Sequence, residues 1–131
     1  YIFGGGKSEE KYAEELRKKY KNVSSMIGKM TMEEEIDMIN SLDLMLTMDS
    51  GNMHIAALTG TKIISVWGAT HPYAGFTPFI KEENSFFIQN EDLDCRPCSV
   101  FGNKACFKST LECMYSLQPK TITELIEMIL R

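Results

Sequence analysis

The sequence predicts an α/β domain with a mostly parallel sheet, and two observations indicate this class. Apolar runs of strand length alternate with helical patterns, in the order strand, helix, strand, helix, strand, helix, strand, up to residue 67. Residues 42–48 are apolar almost throughout, as expected of a parallel strand that is covered on both faces. Because such strands are joined by right-handed crossovers, the pattern predicts a Rossmann-like domain of three layers.

The N-terminal part of this pattern is a strand, a turn and a helix. Residues 1–3 are typical of a short buried strand, and the three glycines that follow predict a turn at which a ligand can approach the backbone. Ser8 is expected to open a helix whose apolar face repeats every four residues, at Tyr12, Leu16 and Tyr20. The glycines lack the spacing of a dinucleotide fingerprint, so they identify no particular ligand.

The middle of the chain supplies two more strands and two helices. Residues 23–27 suit a strand near the edge of the sheet, and Thr31 with Glu34 has the form of a capping box that begins a helix. Residues 42–48 are expected to form the central strand. Gly60 is expected to end the helix that follows this strand.

The C-terminal part continues the sheet and ends in a helix. Residues 62–67 predict the next strand, whose end opens a long irregular stretch, and residues 85–88 predict a last short strand. Pro119 begins the final helix. Its apolar stripe is formed by Ile122, Leu125, Ile126 and Ile129.

The turn at residues 49–54 is the strongest candidate for a binding site. It joins an apolar strand to a helix, and a helix N-terminus offers an anion unpaired N–H groups and the positive end of the macrodipole. Ser50 and Gly51 would supply those amides, while Asp49 and His54 would place an acceptor and a titratable donor beside the anion. On spacing alone, an ordinary N-cap at Asp49 and a surface histidine explain the pattern equally well.

Composition excludes some classes of function. The 131 residues carry a formal net charge of −4 without any stripe of Lys or Arg, which argues against nucleic-acid binding as the main function. No apolar run approaches the roughly 20 residues of a membrane span. Because the sequence starts directly as a strand and without Met, we expect it to be one domain of a longer protein.

Four cysteines lie in one segment after the last predicted strand, at Cys95, Cys98, Cys106 and Cys113. Four thiolates can bind zinc, but the spacing lacks the second C-x-x-C of a zinc ribbon. Disulfides are a further possibility, which a cytosolic setting disfavours. Reduced thiols without a metal are the preferred interpretation, and the pattern gives the cysteines no catalytic role.

Two motifs make the chain similar to a known family. The first is D-S-G-x-x-H-x-A-A at residues 49–57, and the second is G-x-T-x-P at residues 68–72, directly after a strand. From Gly6 to the last helix, the chain closely resembles the ADP-heptose:lipopolysaccharide heptosyltransferases of glycosyltransferase family 9. The resemblance implies the C-terminal half of a GT-B glycosyltransferase. Residues 1–131 would then be its nucleotide-sugar-binding domain, and the N-terminal acceptor domain would lie outside this sequence.

The resemblance implies that the N-terminal third of the chain binds the nucleoside. Gly6 would let the nucleotide approach the backbone, and Glu10, four residues later, would hold the ribose. Met30 would present an adaptable apolar surface to the adenine, although Met30 could equally be core filler. Without the resemblance, Glu10 and its neighbour Glu9 are ordinary first-turn charges.

The resemblance assigns the diphosphate and the sugar to the two motifs. The amides of Ser50 and Gly51 would bind the diphosphate. Asp49 and His54 would contact the heptose hydroxyls or the leaving phosphate, and Thr70 would bind the sugar or a phosphate. The family often has Pro or Leu where this chain has Asn52, and usually Asp where it has His71, so both positions bear on which sugar is accepted.

The function that the resemblance implies is transfer of heptose from ADP-heptose to a lipopolysaccharide core acceptor. The enzyme would invert the sugar carbon, require neither a metal nor a cofactor, and work in the cytoplasm or peripherally at the inner membrane. No catalytic base is expected in this sequence, so the chain alone should be inactive. The alternatives are a non-catalytic module that binds a nucleotide or sugar phosphate, and a structural half-domain whose cysteine segment mediates oligomer contacts.

Overall fold

The computed structural model describes all 131 residues, which form two compact units at residues 1–38 and 39–131. Five α-helices and three β-strands make up the regular structure. The helices are α1 (Lys7–Lys19), α2 (Met32–Asn40), α3 (Gly51–Thr59), α4 (Glu112–Tyr115) and α5 (Pro119–Ile129). The strands are β1 (Met45–Met48), β2 (Ile63–Trp67) and β3 (Ser85–Gln89). The predicted α/β class is confirmed.

The first unit contains α1 and a single parallel bridge between Ile2 and Ser25. The Ile2 N–H donates to the Ser24 carbonyl at 2.8 Å, and the Met26 N–H donates to the Ile2 carbonyl at 2.9 Å. Strands were predicted at residues 1–3 and 23–27, but the structure has only one bridged residue pair there, Ile2 and Ser25.

The buried face of α1 differs from the predicted one. Tyr12 and Tyr20 are 63% and 45% exposed, whereas Ala13 is completely buried. The four-residue repeat therefore did not identify the buried face of α1, whose one buried residue is the small Ala13. The next helix, α2, begins with the predicted capping box: the Thr31 N–H donates to the Glu34 carboxylate at 2.7 Å, and the Glu34 N–H donates to the Thr31 hydroxyl at 3.3 Å.

The second unit is built on a parallel sheet in the order β1-β2-β3. Met45 pairs with Ile63 and Ile63 pairs with Ser85, so β2 lies between the other two strands. The prediction that residues 42–48 form the central strand is wrong, because β1 has a neighbour on one side only. Its Leu46 and Met48 are 48% and 47% exposed.

The core of the second unit surrounds β2. Ile63, Ile64 and Trp67 are completely buried, and the indole N–H of Trp67 donates to the Ser65 hydroxyl at 2.8 Å. Helix α3 buries Met53, Ala56 and Ala57. It ends as predicted at Gly60, whose φ of 79° lies in the left-handed region that favours glycine.

The final helix α5 begins at the predicted proline. Its predicted stripe is half-buried, and no residue of the helix is fully buried. None of the helices has both the length and the apolar composition that crossing a bilayer requires.

Candidate functional site

The predicted strand-to-helix turn is present in the second unit. Strand β1 ends at Met48 and α3 begins at Gly51, with Ser50 in extended conformation as the N-cap residue. Its hydroxyl does not cap the helix but lies 3.0 Å from the hydroxyl of Thr47. The first-turn amides of α3 are thus not occupied by the serine side chain, which is the condition for binding an outside anion there.

The side chains around this turn differ in exposure. Asp49 and Asn52 are half-buried, whereas Ser50, Gly51 and His54 are exposed. A Cβ atom added to Gly51 would meet no other atom within 4 Å, so the space beside its backbone is open.

The second motif lies beside the first at the same edge of the sheet. Met48, the last residue of β1, pairs with Val66, which precedes the last residue of β2. The residues after these strands, Asp49 and Gly68, therefore start two loops at the carboxyl end of the sheet. This edge is the usual ligand-binding edge of open parallel sheets.

His71, in the second loop, has a structural role. Its Nδ1 accepts a hydrogen bond from the Tyr73 N–H at 3.1 Å, which caps the 3₁₀ turn Pro72–Ala74. The imidazole also contacts the Tyr73 ring, with centroids 4.8 Å apart. Thr70, just before it, is half-buried.

Arg96 is the polar residue near these loops that the sequence analysis did not identify. Its guanidinium donates to the carbonyls of Trp67 (3.0 Å), Gly68 and Thr70 (2.9 Å). It also donates to the Asn90 carbonyl at 2.7 Å and to the Gln89 side-chain oxygen at 3.2 Å. Burial lowers the pKa of Arg96 below its ordinary value, while neighbouring thiols oppose the shift. The sequence offered one signal for this role: Arg96 is one of only three arginines in the chain, and it lies inside a loop.

In the first unit, Glu9 rather than Glu10 contacts the glycine turn. The Glu9 carboxylate accepts hydrogen bonds from the N–H groups of Gly5 (2.9 Å) and Gly6 (2.8 Å). These two bonds lower the pKa of Glu9. Glu10 is exposed in the same helical turn, and Met30 is half-buried just before α2. A ligand that uses the Gly6 amide must therefore displace Glu9.

The four cysteines are free thiols, and the pKa values of two of them are shifted. Burial and the neighbouring thiols raise the pKa of Cys98, whose Sγ donates to the Cys95 carbonyl at 3.1 Å. The N–H groups of Leu111, Lys108 and two residues between them lower the pKa of Cys106. No three His, Cys, Asp or Glu side chains are arranged here so that they could hold a metal ion.

A cavity of about 660 Å³ lies away from the predicted site. It is lined by the C-terminal end of α3, including Leu58 and Gly60, and by Phe79 and Lys81. Ala57 is the α3 residue of its lining nearest to Ser50, and it lies about 10 Å away along the helix. The lining of this cavity includes none of residues 49–51 and 68–72 at the sheet edge.

Comparison with known proteins identifies the class. The model of glycosyltransferase family 9 (heptosyltransferase) matches residues 1–106. The chain belongs to this family of glycosyltransferases, as its two motifs predicted. The comparison with solved structures gives no significant match.

Individual relatives are heptosyltransferases by name. Lipooligosaccharide heptosyltransferase 2 of Campylobacter jejuni serotype O:2 is 30% identical over 134 residues, which cover 99% of this chain and 40% of that protein. The serotype O:6 protein of the same name is also 30% identical, over 96% of this chain and 39% of its own length. Lipooligosaccharide heptosyltransferase 2 of Haemophilus influenzae is 33% identical over 63% of this chain and 24% of its own length. The chain thus spans about 40% of the first two relatives.

Proposed function

We propose that this chain is the donor-binding part of a glycosyltransferase that transfers heptose from ADP-heptose to a lipopolysaccharide core acceptor. The observation that carries the proposal is the pairing of Met48 with Val66. Because of this pairing, the two family motifs begin at the ends of neighbouring strands, at the ligand-binding edge of a parallel sheet.

The turn at residues 49–51 is proposed to bind the diphosphate. The N-terminal N–H groups of α3 and its macrodipole attract negative charge, and the open space beside Gly51 admits a phosphate oxygen to the backbone. Negative charge on the departing ADP increases during transfer. N–H groups that are already in place therefore stabilise the transition state more than they stabilise the bound ADP-heptose.

The sugar is proposed to lie between the two loops. Asp49 and Asn52 offer side-chain oxygens for hydroxyl groups, while His54 can donate to the sugar or to the leaving phosphate. Thr70 offers a hydroxyl from the second loop. The Nδ1 of His71 already accepts from the Tyr73 N–H, so we assign His71 the role of capping the turn Pro72–Ala74.

The nucleoside is proposed to bind Gly6, Glu10 and Met30. Glu9 is held by the glycine turn, which leaves Glu10 as the carboxylate next to it for the ribose hydroxyls. Met30 would contact the adenine through its flexible thioether. The nucleotide would approach the backbone at Gly6.

The reaction also needs a base that removes the proton of the acceptor hydroxyl. We place this base in an N-terminal acceptor domain outside residues 1–131, so the 131-residue chain alone should transfer no sugar. The transfer would invert the sugar carbon without a metal or cofactor. We place it in the cytoplasm, or at the inner membrane where a lipid-linked acceptor is available.

The proposal is tested by titrating ADP and ADP-heptose into the full-length protein and two variants. Asp49→Ala should weaken ADP-heptose binding about tenfold, which corresponds to about 1.4 kcal/mol. Asp43→Ala is the matched control, because it removes an exposed aspartate just before β1, at the opposite end of the strand. Equal weakening by both variants, or no ADP-heptose binding by the wild type, contradicts the proposal. Binding without transfer would instead indicate a non-catalytic nucleotide-sugar module.

A further inference from the structure

Arg96 fixes the orientation of two successive peptide units in the second loop. Its guanidinium donates to the carbonyl oxygens of Trp67 and Gly68. In a trans peptide, the C=O of one residue and the N–H of the next point in opposite directions. The N–H groups of Gly68 and Ala69 are therefore directed away from Arg96.

The same guanidinium fixes the other end of the loop. It donates to the Thr70 carbonyl at 2.9 Å, and its bonds to Asn90 and Gln89 tie it to the end of β3. A planar guanidinium with five N–H groups can contact all these acceptors at once, whereas the compact ammonium of lysine cannot.

Two more contacts join the segment after Arg96 to this loop. A Cβ atom added to Gly68 would collide with the Met114 sulfur, because the Met114 side chain packs directly on the Gly68 backbone. A Cβ atom added to Gly102 would lie only 2.9 Å from the Thr70 Cγ2 atom. The loop is therefore held from one side by residues 96–114.

We propose that Arg96 is a positioning residue for the sugar donor. It does not touch the donor, but it holds Thr70 and the peptide units of residues 67–69 in the conformation that binds it. This inference rests on the proposed function, because it assumes that the loop lines the donor site. Its physical basis is the three carbonyls that Arg96 binds, at the end of β2 and in the loop, together with the sheet edge that this loop shares with Ser50.

The experiment is a double-mutant cycle in the full-length protein, with ADP-heptose affinity as the measurement. Arg96→Lys keeps the positive charge and removes the planar fork, so donor affinity should fall about tenfold. Thr70→Ala should also weaken binding in the wild-type background. In the Arg96→Lys background it should have little further effect, because Thr70 is already displaced. Arg17→Lys is the matched control, since Arg17 forms only a surface ion pair with Glu14, and it should bind normally.

The outcomes separate positioning from general stabilisation. Unchanged donor affinity in Arg96→Lys overturns the inference. A double variant whose loss of affinity equals the product of the two single losses also overturns it. If Arg96→Lys does not fold, Gly102→Ala replaces it, because the added methyl group would lie 2.9 Å from the Thr70 Cγ2 atom while Arg96 stays intact. Gly60→Ala is its control, because both glycines have a positive φ and alanine adds backbone strain at each, but only Gly102 contacts Thr70. Unchanged donor affinity in folded Gly102→Ala then overturns the inference. Absence of ADP-heptose binding by the wild type refutes the proposed function itself, which distinguishes the two failures.

Discussion

The carboxylate of Glu9 accepts a hydrogen bond from the Gly6 N–H at 2.8 Å, across the first turn of α1. It also accepts one from Gly5, so a single side chain satisfies two amides of the glycine turn. An acidic side chain at this position stabilises the helix N-terminus through both the hydrogen bonds and the macrodipole. Replacement of this side chain should therefore change the helix and the turn together.

Glu9→Gln should destabilise the start of α1 at neutral pH. Because the pKa of Glu9 is lowered in the folded state, its contribution is present above the unfolded pKa and is lost as the pH falls through the folded pKa. The stability difference between wild type and variant should thus shrink below about pH 4. Amide hydrogen exchange at Gly5 and Gly6 measures this stability difference, and Glu15→Gln on the same helix is the control. A difference that grows on acidification would disprove this role.

Thr61→Val should destabilise the second unit without changing side-chain shape. The buried Thr61 hydroxyl donates to the Ile39 carbonyl at 2.8 Å, and valine removes this bond while the carbonyl keeps its second donor, the Leu42 N–H at 3.1 Å. The expected loss in free energy of unfolding is about 0.5–1.5 kcal/mol. Urea denaturation followed by the fluorescence of Trp67, the single tryptophan, measures this loss. Thr77→Val changes an exposed loop position, so its loss in free energy of unfolding should be near zero. Equal losses in the two variants would contradict the role of the Thr61 hydroxyl.

Cys106 should react with iodoacetamide faster than Cys98. Backbone N–H groups lower the pKa of Cys106 and burial raises the pKa of Cys98, so a larger fraction of Cys106 is thiolate at any pH below both values. The ratio of the two rates should fall toward one as the pH rises above both values. Peptide mapping by mass spectrometry at several pH values measures it, with Cys106→Ser confirming the assignment. Faster labelling of Cys98 would show that the backbone amides do not stabilise the Cys106 thiolate.

Much of the fold could be predicted because its signals are local. The turn from β1 to α3, the glycine end of α3, the Thr31 capping box and the start of α5 at Pro119 each depend on a few adjacent residues. The order of strands depends on contacts distant in sequence. The apolar composition of residues 42–48 therefore could not distinguish a central strand from the edge strand β1.

The same distinction applies to the site. The two motifs carried the family assignment, which the family match confirmed, whereas the roles of individual residues stay predictions. Spacing could not decide which of Glu9 and Glu10 binds the glycine turn, since both lie in the first turn of α1. Arg96 was missed because its partners include the carbonyls of Trp67 and Thr70, which are 29 and 26 positions away, and backbone acceptors leave no mark in the sequence.

Gly51→Ala should separate stability from donor binding. Gly51 is the first residue of α3, and a methyl group there meets no atom within 4 Å, so alanine should leave the fold intact or stabilise it by about 0.5–1 kcal/mol. The same methyl group occupies the space through which a phosphate oxygen would reach the backbone. Affinity for ADP-heptose should therefore fall about tenfold, measured by calorimetry in the full-length protein.

Gly60→Ala, at the other end of α3, should give the opposite result. Its φ of 79° is unfavourable for alanine, so the variant should lose about 1–2 kcal/mol of stability while its donor affinity stays unchanged. The two variants add the same methyl group to the two ends of one helix. Weakened donor binding in both would mean that the helix as a whole had been disturbed. Unchanged binding in Gly51→Ala would remove the turn at residues 49–51 from the diphosphate site.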